Sequence, residues 1–526
     1  MQPSSSHPRA RRRRNRRVAG VAAVAALAVV LAGCSSTKDN ANTSGTPLPG
    51  ITDSTVKIGF TVVDGGKLSS SLGFKSADYG GVEGQTKAIN AVVQHINANG
   101  GMGGRQVQAD IKTYISANDS PDTSQAQCSA YTQDSRVFAV VLDGGLQNNA
   151  VPCYAAANTL VLDQTLVAHD QTQFENTSPY LWSPTHPEYS SFVKAQLDQM
   201  NKAGFFTGNS GVLIMPADIE VARRATDQIV KPFLSSIGVT RSQVAFIDST
   251  NTGTLGATAA AALTAGKNGK FNRVVAIGGA RIESVALSDQ AAANYPSTWS
   301  ISSYDSPPFI QNNPETIVTA LRNGMTGIGY SPAIDVYENT VGPAFPDPTN
   351  PQQVLCTNII NQAGATPPEN RRNNWRSALQ YCDAAFFLKA VLDKAPAGAT
   401  LTGAQFKDAA AQIGTTYRSS MTFGASWGPN VYAGTNAAQD LKWDPTTLAF
   451  VYGGTTIQFG APASAAAAPN SAVPAPAAPN SAVPAPAAPN SAVPAPAAPN
   501  SAVPAPAAPN SAVPAPAVPA PAPAVP

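Results

Sequence analysis

Short apolar runs alternate with amphipathic segments over the first part of the chain. Runs typical of β-strands lie at residues 56–60, 107–114, 137–142 and 160–162. One helical face, with the spacing i, i+3, i+4, i+7, is formed by Ile89, Val92, Val93 and Ile96. Asn-Gly-Gly at 99–101 ends this helix, and further helices are predicted over 121–133 and about 148–157. This alternation predicts a parallel sheet covered by helices on both faces.

The same alternation begins again at residue 212. Further strands are predicted at 212–215, 244–247, 274–277 and 299–301. The helix after the first of them places apolar residues at helical spacing, namely Val221, Ala222, Ala225, Ile229, Val230 and Phe233. Two successive sets predict an α/β fold with two Rossmann-like lobes. In parallel sheets of this kind, ligands bind beyond the carboxyl ends of the strands.

The N-terminal segment has the architecture of a bacterial export signal. Residues 1–33 contain seven arginines and no acidic residue, and an apolar stretch follows them over 18–32. Leu-Ala-Gly-Cys at 31–34 resembles a lipobox, in which the cysteine is acylated and becomes the mature N-terminus. We therefore predict a signal peptide over 1–33, lipidation of Cys34 and a flexible tether over 34–50. Two acyl chains would hold the protein stably on the outer face of the cell membrane.

The C-terminal segment is a repeat without charged residues. Over 461–526 the unit Ala-Pro-Asn-Ser-Ala-Val-Pro-Ala-Pro-Ala recurs, with Pro-Asn at 469, 479, 489, 499 and 509. Frequent proline removes backbone donors and favours extended polyproline II, so the segment is predicted to be disordered. An inert spacer and a functional arm, such as a wall-spanning segment or a glycosylation target, are both open interpretations.

Charge partitioning excludes some classes of protein. The chain has 34 basic and 32 acidic residues, and removing the seven arginines of the leader leaves 27 basic against 32 acidic, a net charge of −5. A mildly acidic body disfavours nucleic-acid binding, which needs a basic face. The apolar run in the leader is the longest in the chain, and even this run is shorter than the ~20 residues that a membrane-spanning helix needs. This excludes a membrane protein with several spans.

The remaining cysteines and the histidines give no metal motif. Outside the cytoplasm, Cys128, Cys153, Cys356 and Cys382 are expected to form two disulfides, and three pairings are possible. Pairing between neighbours in sequence is the least demanding of the three. The four histidines, His7, His95, His169 and His186, show no zinc-site spacing, and no phosphate-binding loop is present. We predict neither a metal nor a cofactor.

One motif bears on an enzymatic alternative. Gly-Ala-Ser-Trp-Gly at 424–428 matches the Gly-x-Ser-x-Gly string of serine hydrolases, with Ser426 as the nucleophile. The motif requires a following helix and a later histidine, whereas Pro429 follows directly and no histidine lies beyond His186. We predict that the protein is not an enzyme and keep a secreted hydrolase as a remote alternative.

Ile-Asn-Ala-Asn-Gly-Gly-Met-Gly-Gly-Arg at 96–105 resembles the signature of type I periplasmic solute-binding proteins of ABC transporters, the leucine/isoleucine/valine-binding type. Three other segments occur in the order typical of the family: Lys-Ile-Gly at 57–59, Asn-Asp-Ser-Pro at 118–121 and the apolar run 137–141. Cys128 and Cys153 resemble the disulfide partners of the first lobe in several members. The weaker part of the resemblance extends over roughly 55–455.

The resemblance implies how the lobes are assembled. The first lobe would comprise 52–182 with 306–428, and the second 187–303 with 430–460, joined by a hinge of three segments. Closure of the two lobes would bury the ligand, and an ABC permease would recognise the closed form. The resemblance further implies a monomer that binds a small-molecule solute.

Ligand contacts in this family lie on loops after particular strands, so the resemblance implies a set of candidates. Gly144, Gly145 and Gln147, then Gln164 and Thr165, would hold a ligand carboxylate in the first lobe. Asp305 would hold an ammonium group. The complete set is Asp64, Gly144, Gly145, Gln147, Gln164, Thr165, Asp218, Glu220, Arg281, Tyr304 and Asp305. Aromatic residues frequent in the family are absent near Asp218 and Arg281, which argues against a branched-chain amino acid.

These observations predict a lipid-anchored, extracytoplasmic substrate-binding protein that captures an amino acid or amide-like solute for an ABC importer. A surface lipoprotein that senses the ligand without transporting it is the alternative.

Overall fold

Strands and helices alternate through most of the chain. The computed structural model describes residues 45–65, 77–144, 149–279, 282–289, 292, 294–337, 342–398 and 400–460. These residues belong to one unit of the chain. The strands in this part are β1 (Thr55–Asp64), β2 (Gln106–Ile115), β3 (Ala139–Leu142), β4 (Leu160–Asp163), β5 (Leu181–Pro187), β6 (Val212–Pro216), β7 (Ser242–Val244), β8 (Arg273–Ile277), β9 (Thr298–Ser302), β10 (Thr326–Gly329), β11 (Ala433–Thr435), β12 (Ala437–Asp444) and β13 (Ala449–Gln458).

The helices lie mainly between consecutive strands. They are α1 (Gly81–Ala98), α2 (Pro121–Ser129), α3 (Val151–Ala156), α4 (Gln171–Asn176), α5 (Tyr189–Lys202), α6 (residues 220–236), α7 (Thr252–Asn268), α8 (Ile282–Ser288), α9 (Pro307–Asn312), α10 (Thr319–Arg322), α11 (Pro351–Gln362), α12 (Arg376–Leu392) and α13 (Gly403–Ala411). A wider turn over Ala130–Ser135 continues α2, and α6 contains a similar turn over Thr226–Val230. A short 3₁₀ turn over Arg372–Trp375 precedes α12 directly.

The strands form two sheets. The first has the order β2-β1-β3-β4-β5-β11, and all of its neighbouring strands are parallel. The second has the order β7-β6-β8-β9-β10-β12-β13 and is parallel up to β10, after which β12 and β13 pair antiparallel. Each sheet carries its own apolar core. The predicted two-lobed α/β fold is confirmed.

Burial explains why the apolar runs form central strands. Every residue of β4 and β6 is buried, as expected for strands with helices on both faces. In α1 the predicted apolar face of Ile89, Val92, Val93 and Ile96 is buried. The strand predicted at 244–247 is displaced, because β7 spans Ser242–Val244 and shares only Val244 with the prediction, and the chain then continues as irregular backbone beside β6.

The signature at 96–105 has a structural role. Gly101 adopts φ +72°, and its amide closes the end of α1 by donating to the carbonyl of Ile96 (2.9 Å). A Cβ at this position would lie 2.0 Å from the carbonyl oxygen of Arg105, so only glycine fits. Arg105 in turn donates to the carbonyls of Thr52 (2.9 Å) and Gly398 (2.7 Å). The motif therefore ends a helix and joins three segments of the first lobe.

Two disulfides lie within the first lobe. Cys128–Cys153 links α2 to α3, and Cys356–Cys382 links α11 to α12. This is the pairing between neighbours in sequence. The second bond joins α12 near its middle, so it fixes a helix whose first turn reaches the space between the two sheets, as described below.

The chain passes between the two sheets three times, as the predicted hinge of three segments requires. It leaves the first sheet after β5, returns after β10, and crosses a third time between β11 and β12, where Asn436 alone separates the strands. The predicted lobe bounds differ at two places: β10 lies in the second sheet although 306–428 was assigned to the first lobe, and β11 lies in the first sheet although 430–460 was assigned to the second. The division into domains otherwise stays a prediction.

The leader, Cys34, the tether up to residue 44 and the repeat over 461–526 lie outside the described residues. Within the described residues, none of the helices combines the length and apolar character that crossing a membrane requires. The same residues hold no group of three metal-ligating side chains.

Candidate ligand-binding site between the lobes

The carboxyl ends of β1, β3 and β4 carry most of the candidates predicted in the first lobe. Asp64 ends β1, and Gly144 follows β3 with φ +76°. Gln164 and Thr165 follow β4 and are buried. The Thr165 amide donates to Asp163 (2.8 Å) and its hydroxyl accepts from the Val167 amide (3.2 Å), so both groups are engaged within the chain. Gly145 and Gln147 lie outside the described residues.

Asp163, the last residue of β4, forms a buried pair with His169. The His169 Nε2 and Asp163 Oδ2 atoms are 2.7 Å apart, and His169 Nδ1 lies 3.0 Å from Gln173 Oε1. Burial opposes charge on both groups, but their mutual attraction raises the pKa of His169 and lowers that of Asp163. Both ring nitrogens face acceptors, which is the arrangement of a protonated imidazole. The charges of Asp163 and His169 therefore compensate each other within the loop.

Helix α12 brings a polar face to the same edge of the first sheet. Asn373, Arg376, Ser377 and Gln380 occupy positions i, i+3, i+4 and i+7 and are buried. We call these four residues the polar face. Gln380 Nε2 donates to the carbonyl of Gln164 (2.6 Å), which places this face against the loop after β4. Tyr381 beside it donates to the carbonyl of Thr61 in β1 (2.8 Å).

Several polar atoms at this place have no hydrogen-bond partner. They are Asn373 Oδ1, Ser377 Oγ, Gln380 Oε1, Gln164 Nε2 and Ser331 Oγ. Leaving such an atom buried without a partner costs about 1–3 kcal/mol. A group of them on facing elements indicates that a polar molecule supplies the missing bonds.

Arg376 is the charged member of the polar face. It is 6% exposed, and in the part of the chain that the structure describes no hydrogen bond or ion pair joins its guanidinium group to another residue. Its charge acts on the second crossing between the sheets, where it lowers the pKa of Asp335. Burial nevertheless raises that pKa to about 6. Arg376 therefore lies between the first sheet and the segment that follows β10.

Three rings close this space on the side of β5. The His186 ring stacks on Tyr304, with ring centres 5.8 Å apart, and meets Tyr330 edge-on at the same distance. Burial lowers the pKa of His186 to about 3, and the charge of Arg376 contributes to the lowering. The imidazole is therefore neutral at physiological pH.

Tyr304 and Asp305, predicted contacts of the second lobe, follow β9 and are buried. The Tyr304 hydroxyl donates to the carbonyl of Pro187 (3.2 Å). Asp305 accepts from the Ser302 hydroxyl (2.6 Å) and lies against the carboxyl group of Glu283. Its predicted role as the partner of a ligand ammonium remains a prediction, because its carboxyl group is already engaged in this structure.

The other candidates of the second lobe lie apart from this cluster. Asp218 is exposed and accepts a hydrogen bond from Arg223 Nε (2.8 Å). Glu220 is exposed and lies 3.7 Å from Arg224. Arg281 lies outside the described residues. The structure therefore brings the loop with Gln164 and Thr165 close to Tyr304, places Asp305 among residues of the second lobe, and leaves Asp218 and Glu220 at the surface.

The two lobes touch beside the cluster. Val167 of the loop after β4 pairs with Gly279 after β8, and a Cβ on Gly279 (φ +68°) would lie 2.2 Å from the Leu166 carbonyl oxygen. Arg224 of α6 binds both carboxylate oxygens of Asp170, at 2.7 and 2.9 Å. Asp170 caps α4 on the first lobe, so this ion pair joins the two lobes directly. The two lobes are therefore in direct contact beside the cluster.

A cavity of about 240 Å³ lies at the second and third crossings. Its walls include Pro343, Asn350, Gln353, Arg418, Thr422 and Gln439. Asn350 and Gln353 use their side-chain amides to hold the Ser419 and Ser420 carbonyls, so this cavity is part of the structure that supports the hinge.

The nucleophile predicted for a hydrolase is not in the required context. The Ser426 amide donates to the carbonyl of Gly434 (2.9 Å), and Ala425 pairs antiparallel with Thr435. Ser426 is therefore part of an extended segment beside β11. A turn, rather than a helix, follows it. The strand–turn–helix geometry that activates such a serine is absent from this segment.

The polar face was missed by the sequence predictions. A helix with polar residues at i, i+3, i+4 and i+7 and apolar residues elsewhere is usually interpreted as having a solvated face. Helix α12 is buried on almost every side, and the hydrogen bond from Gln380 to the loop after β4 places these residues at the carboxyl edge of the first sheet. The signal in the sequence was an arginine at the start of a long helix rich in apolar residues.

No family model matches the sequence, and no curated protein matches it either. Solved structures do match. A type 1 periplasmic binding protein from Bordetella pertussis Tohama I is 14% identical, with a TM-score of 0.52 over 77% of this chain and 99% of its own. A solute-binding protein of an ABC transporter from R. palustris, in complex with 4-hydroxybenzoate, is 13% identical, with a TM-score of 0.53 over 77% and 97%.

A fatty acid ABC transporter substrate-binding protein from Thermomonospora curvata is 14% identical, with a TM-score of 0.54 over 78% of this chain and 95% of its own. At this identity the likeness concerns the fold. The structural neighbours of the present chain are type I periplasmic binding proteins, which confirms the resemblance noted from residues 96–105.

Proposed function

We propose that this protein is an extracytoplasmic solute-binding protein, anchored through Cys34, that captures a small polar solute between its lobes and presents it to an ABC permease. The observation that carries the proposal is the group of buried polar atoms without partners where the polar face of α12 meets the loop after β4. The fold supports the proposal, since the comparable structures are binding proteins of such transporters.

The nature of the solute is part of the proposal. The atoms without partners include both amide and hydroxyl groups, which suits an amino acid or an amide-like compound. The neighbours named above include one bound to 4-hydroxybenzoate and one that serves fatty acids, so this fold accommodates acids of quite different shape. We therefore extend the range of solutes to be tested to small organic acids.

The test is a thermal-shift screen of the full-length protein in detergent with amino acids, amides and small organic acids. A ligand that binds only the folded state stabilises it by about 2.7 kcal/mol at a hundredfold excess over Kd. A solute that raises Tm should do so less in Gln380→Leu. The matched control, Gln412→Leu, changes an exposed glutamine at the end of α13 and should behave like the wild type. A panel without any effect on Tm would contradict the proposal.

Anchoring has its own test. Cells that express the full-length chain and grow with a radiolabelled fatty acid should incorporate the label, and the Cys34→Ala chain should not. The four other cysteines are expected to stay unlabelled, because they are paired in disulfides. Equal labelling of both chains would show that Cys34 is not the anchor.

A further inference from the structure

We infer that the solute is a small carboxylate that also carries a hydrogen-bond donor, and that the Arg376 guanidinium group binds its carboxylate. The inference rests on the proposed function and specifies the ligand. It starts from a cation that is 6% exposed and has no hydrogen-bonding or ion-pairing partner in the described part of the chain. A buried charge in proteins is nearly always paired, because leaving water without a partner costs several kcal/mol.

Among the described residues, the buried carboxyl groups around Arg376 form no ion pair with it, although one oxygen of Asp335, Oδ1, has no hydrogen-bond partner. Asp163 pairs with His169 at 2.7 Å. Asp335 directs one oxygen to the hydroxyls of Ser303 and Tyr452 and is not within ion-pair distance of Arg376. Asp305 contacts Ser302 and Glu283. In the described part of the chain none of these carboxylates forms an ion pair with Arg376, which leaves a bound anion as the partner that the inference assigns to it.

The guanidinium group favours a carboxylate in particular. Its planar donors match the two oxygens of a carboxylate, and such a bidentate pair is among the strongest hydrogen-bonded contacts in proteins. The same geometry joins Arg224 to Asp170 elsewhere in this chain, with both oxygens engaged. Lysine, a point charge, would not select a planar anion in the same way.

The neighbouring atoms specify the rest of the ligand. Asn373 Oδ1 and Gln380 Oε1 are acceptors without donors, and they share the helical face of Arg376. An anion cannot donate to them, so the ligand must carry an O–H or N–H group besides its carboxylate. Hydroxy acids and amino acids have this combination. A simple amide lacks the charge, and a simple fatty acid lacks the donor.

The test compares each carboxylate with its own amide in the full-length protein. The pairs are leucine and leucinamide, 2-hydroxyisocaproate and its amide, and 4-hydroxybenzoate and 4-hydroxybenzamide, each measured by thermal shift and by calorimetric Kd. We expect at least one carboxylate to bind while its amide does not. In Arg376→Met that carboxylate should bind at least ~30-fold more weakly, as expected when one partner of a buried charge pair is lost. Arg376→Lys should bind with intermediate affinity.

The stability of the free protein separates a ligand-binding arginine from a structural one. Arg322 is 4% exposed in the second lobe, where its Nη2 donates to the Ile317 carbonyl (2.6 Å) and its guanidinium group lies over Trp443. Arg322→Met should lower Tm and leave the affinity unchanged. Arg376→Met should leave the Tm of the free protein unchanged or higher, because the lost charge has no hydrogen-bond or ion-pair partner among the residues that the structure describes.

Each outcome has a definite meaning. Binding of a carboxylate that Arg376→Met does not weaken would overturn the inference, and so would an amide that binds as tightly as its acid. Both results would leave the proposed function intact. A lower Tm of unliganded Arg376→Met, equal to that of Arg322→Met, would show a structural arginine. Absence of binding by all six compounds would count against the carboxylate inference, while binding of other solutes in the wider screen would still support the proposed function.

Discussion

At the scale of single residues, the carboxyl pair of Glu283 and Asp305 is the most sensitive feature of the second lobe. Glu283 is fully buried in α8, and burial together with the nearby Asp305 raises its pKa well above its usual value. Burial also raises the pKa of Asp305, to about 7. Two buried carboxyl groups in contact cannot both be ionised cheaply, so the pair retains a proton at neutral pH.

This pair predicts how stability depends on pH. The folded state holds the protons more tightly than the unfolded chain, so the contribution is complete below about pH 4 and is lost as the pH rises toward 7. Glu283→Gln removes one of the two titrating groups and its amide can donate to Asp305 without a proton, so the loss of stability over this range should be smaller than in the wild type. Urea unfolding at pH 4.5, 6 and 7.5 measures it. Glu83→Gln, an exposed residue of α1, should keep the wild-type dependence.

Single residues also show what the sequence could and could not predict. Gln164, Thr165, Tyr304 and Asp305 could be predicted as candidates because they follow predicted strands, and the ends of parallel strands meet at one edge. Arg376 was missed because its position depends on the packing of α12 against the other lobe. Contacts between elements that are distant in sequence leave no local pattern, and the hydrophobic periodicity does not show which polar face is covered.

At the scale of elements, α12 links the site to the rigid part of the first lobe. Its first turn carries Arg376 and Ser377, and its middle is held to α11 by Cys356–Cys382. The other disulfide, Cys128–Cys153, closes a segment of almost the same length, with a sequence separation of 25 against 26. The two disulfides therefore close segments of nearly equal length, but only one of them lies on the helix that carries the polar face.

Removing either disulfide by a double cysteine-to-alanine substitution should cost about 3.5 kcal/mol of stability, because both close segments of similar length. Only Cys356→Ala with Cys382→Ala should also weaken solute binding, since it releases the helix that carries the polar face. Urea unfolding and calorimetric Kd of both variants provide the two measurements. Equal affinities in both would show that α12 is positioned by its apolar packing alone.

The elements themselves were largely predictable. Strands β3, β4, β6 and β8 and helix α1 follow from apolar runs and helical spacing, because burial on both faces leaves a continuous signal. Strands β10 and β11 were not predicted, and the predicted lobe bounds divide the chain differently from the sheets that contain them. Both are short, at four and three residues, and their sheet is decided by pairing with strands far away in sequence.

At the scale of the whole molecule, the ion pair of Arg224 with Asp170 holds the two lobes together. It spans from α6 of the second lobe to the cap of α4 in the first. Because the two charges lie on different lobes, we expect their attraction to favour the arrangement seen here, to which the proposed ligand would also contribute. The neighbouring Arg223 pairs with Asp218 inside the second lobe and has no such role.

Arg224→Gln should therefore weaken solute binding by about fivefold, the effect of losing roughly 1 kcal/mol of an ion pair near the surface. The change should lie mainly in a faster dissociation rate, because an opened cleft releases its ligand sooner. Arg223→Gln is the matched control and should bind like the wild type. Stopped-flow dissociation of any solute identified in the screen measures the difference. An equal effect of both substitutions on the dissociation rate would show that the ion pair between the lobes does not itself retain the ligand.

The spacing of the polar face has a consequence for how such a protein could change its substrate. Asn373, Arg376, Ser377 and Gln380 lie on one side of a single helical stretch, whereas the apolar residues of α12 that build the core lie on the other. Replacing this stretch would alter the chemical class of the captured molecule and leave the scaffold intact. Ligand specificity would then depend on one short segment of the chain, and new substrates could be acquired, by mutation or by engineering, without changing the core of either lobe.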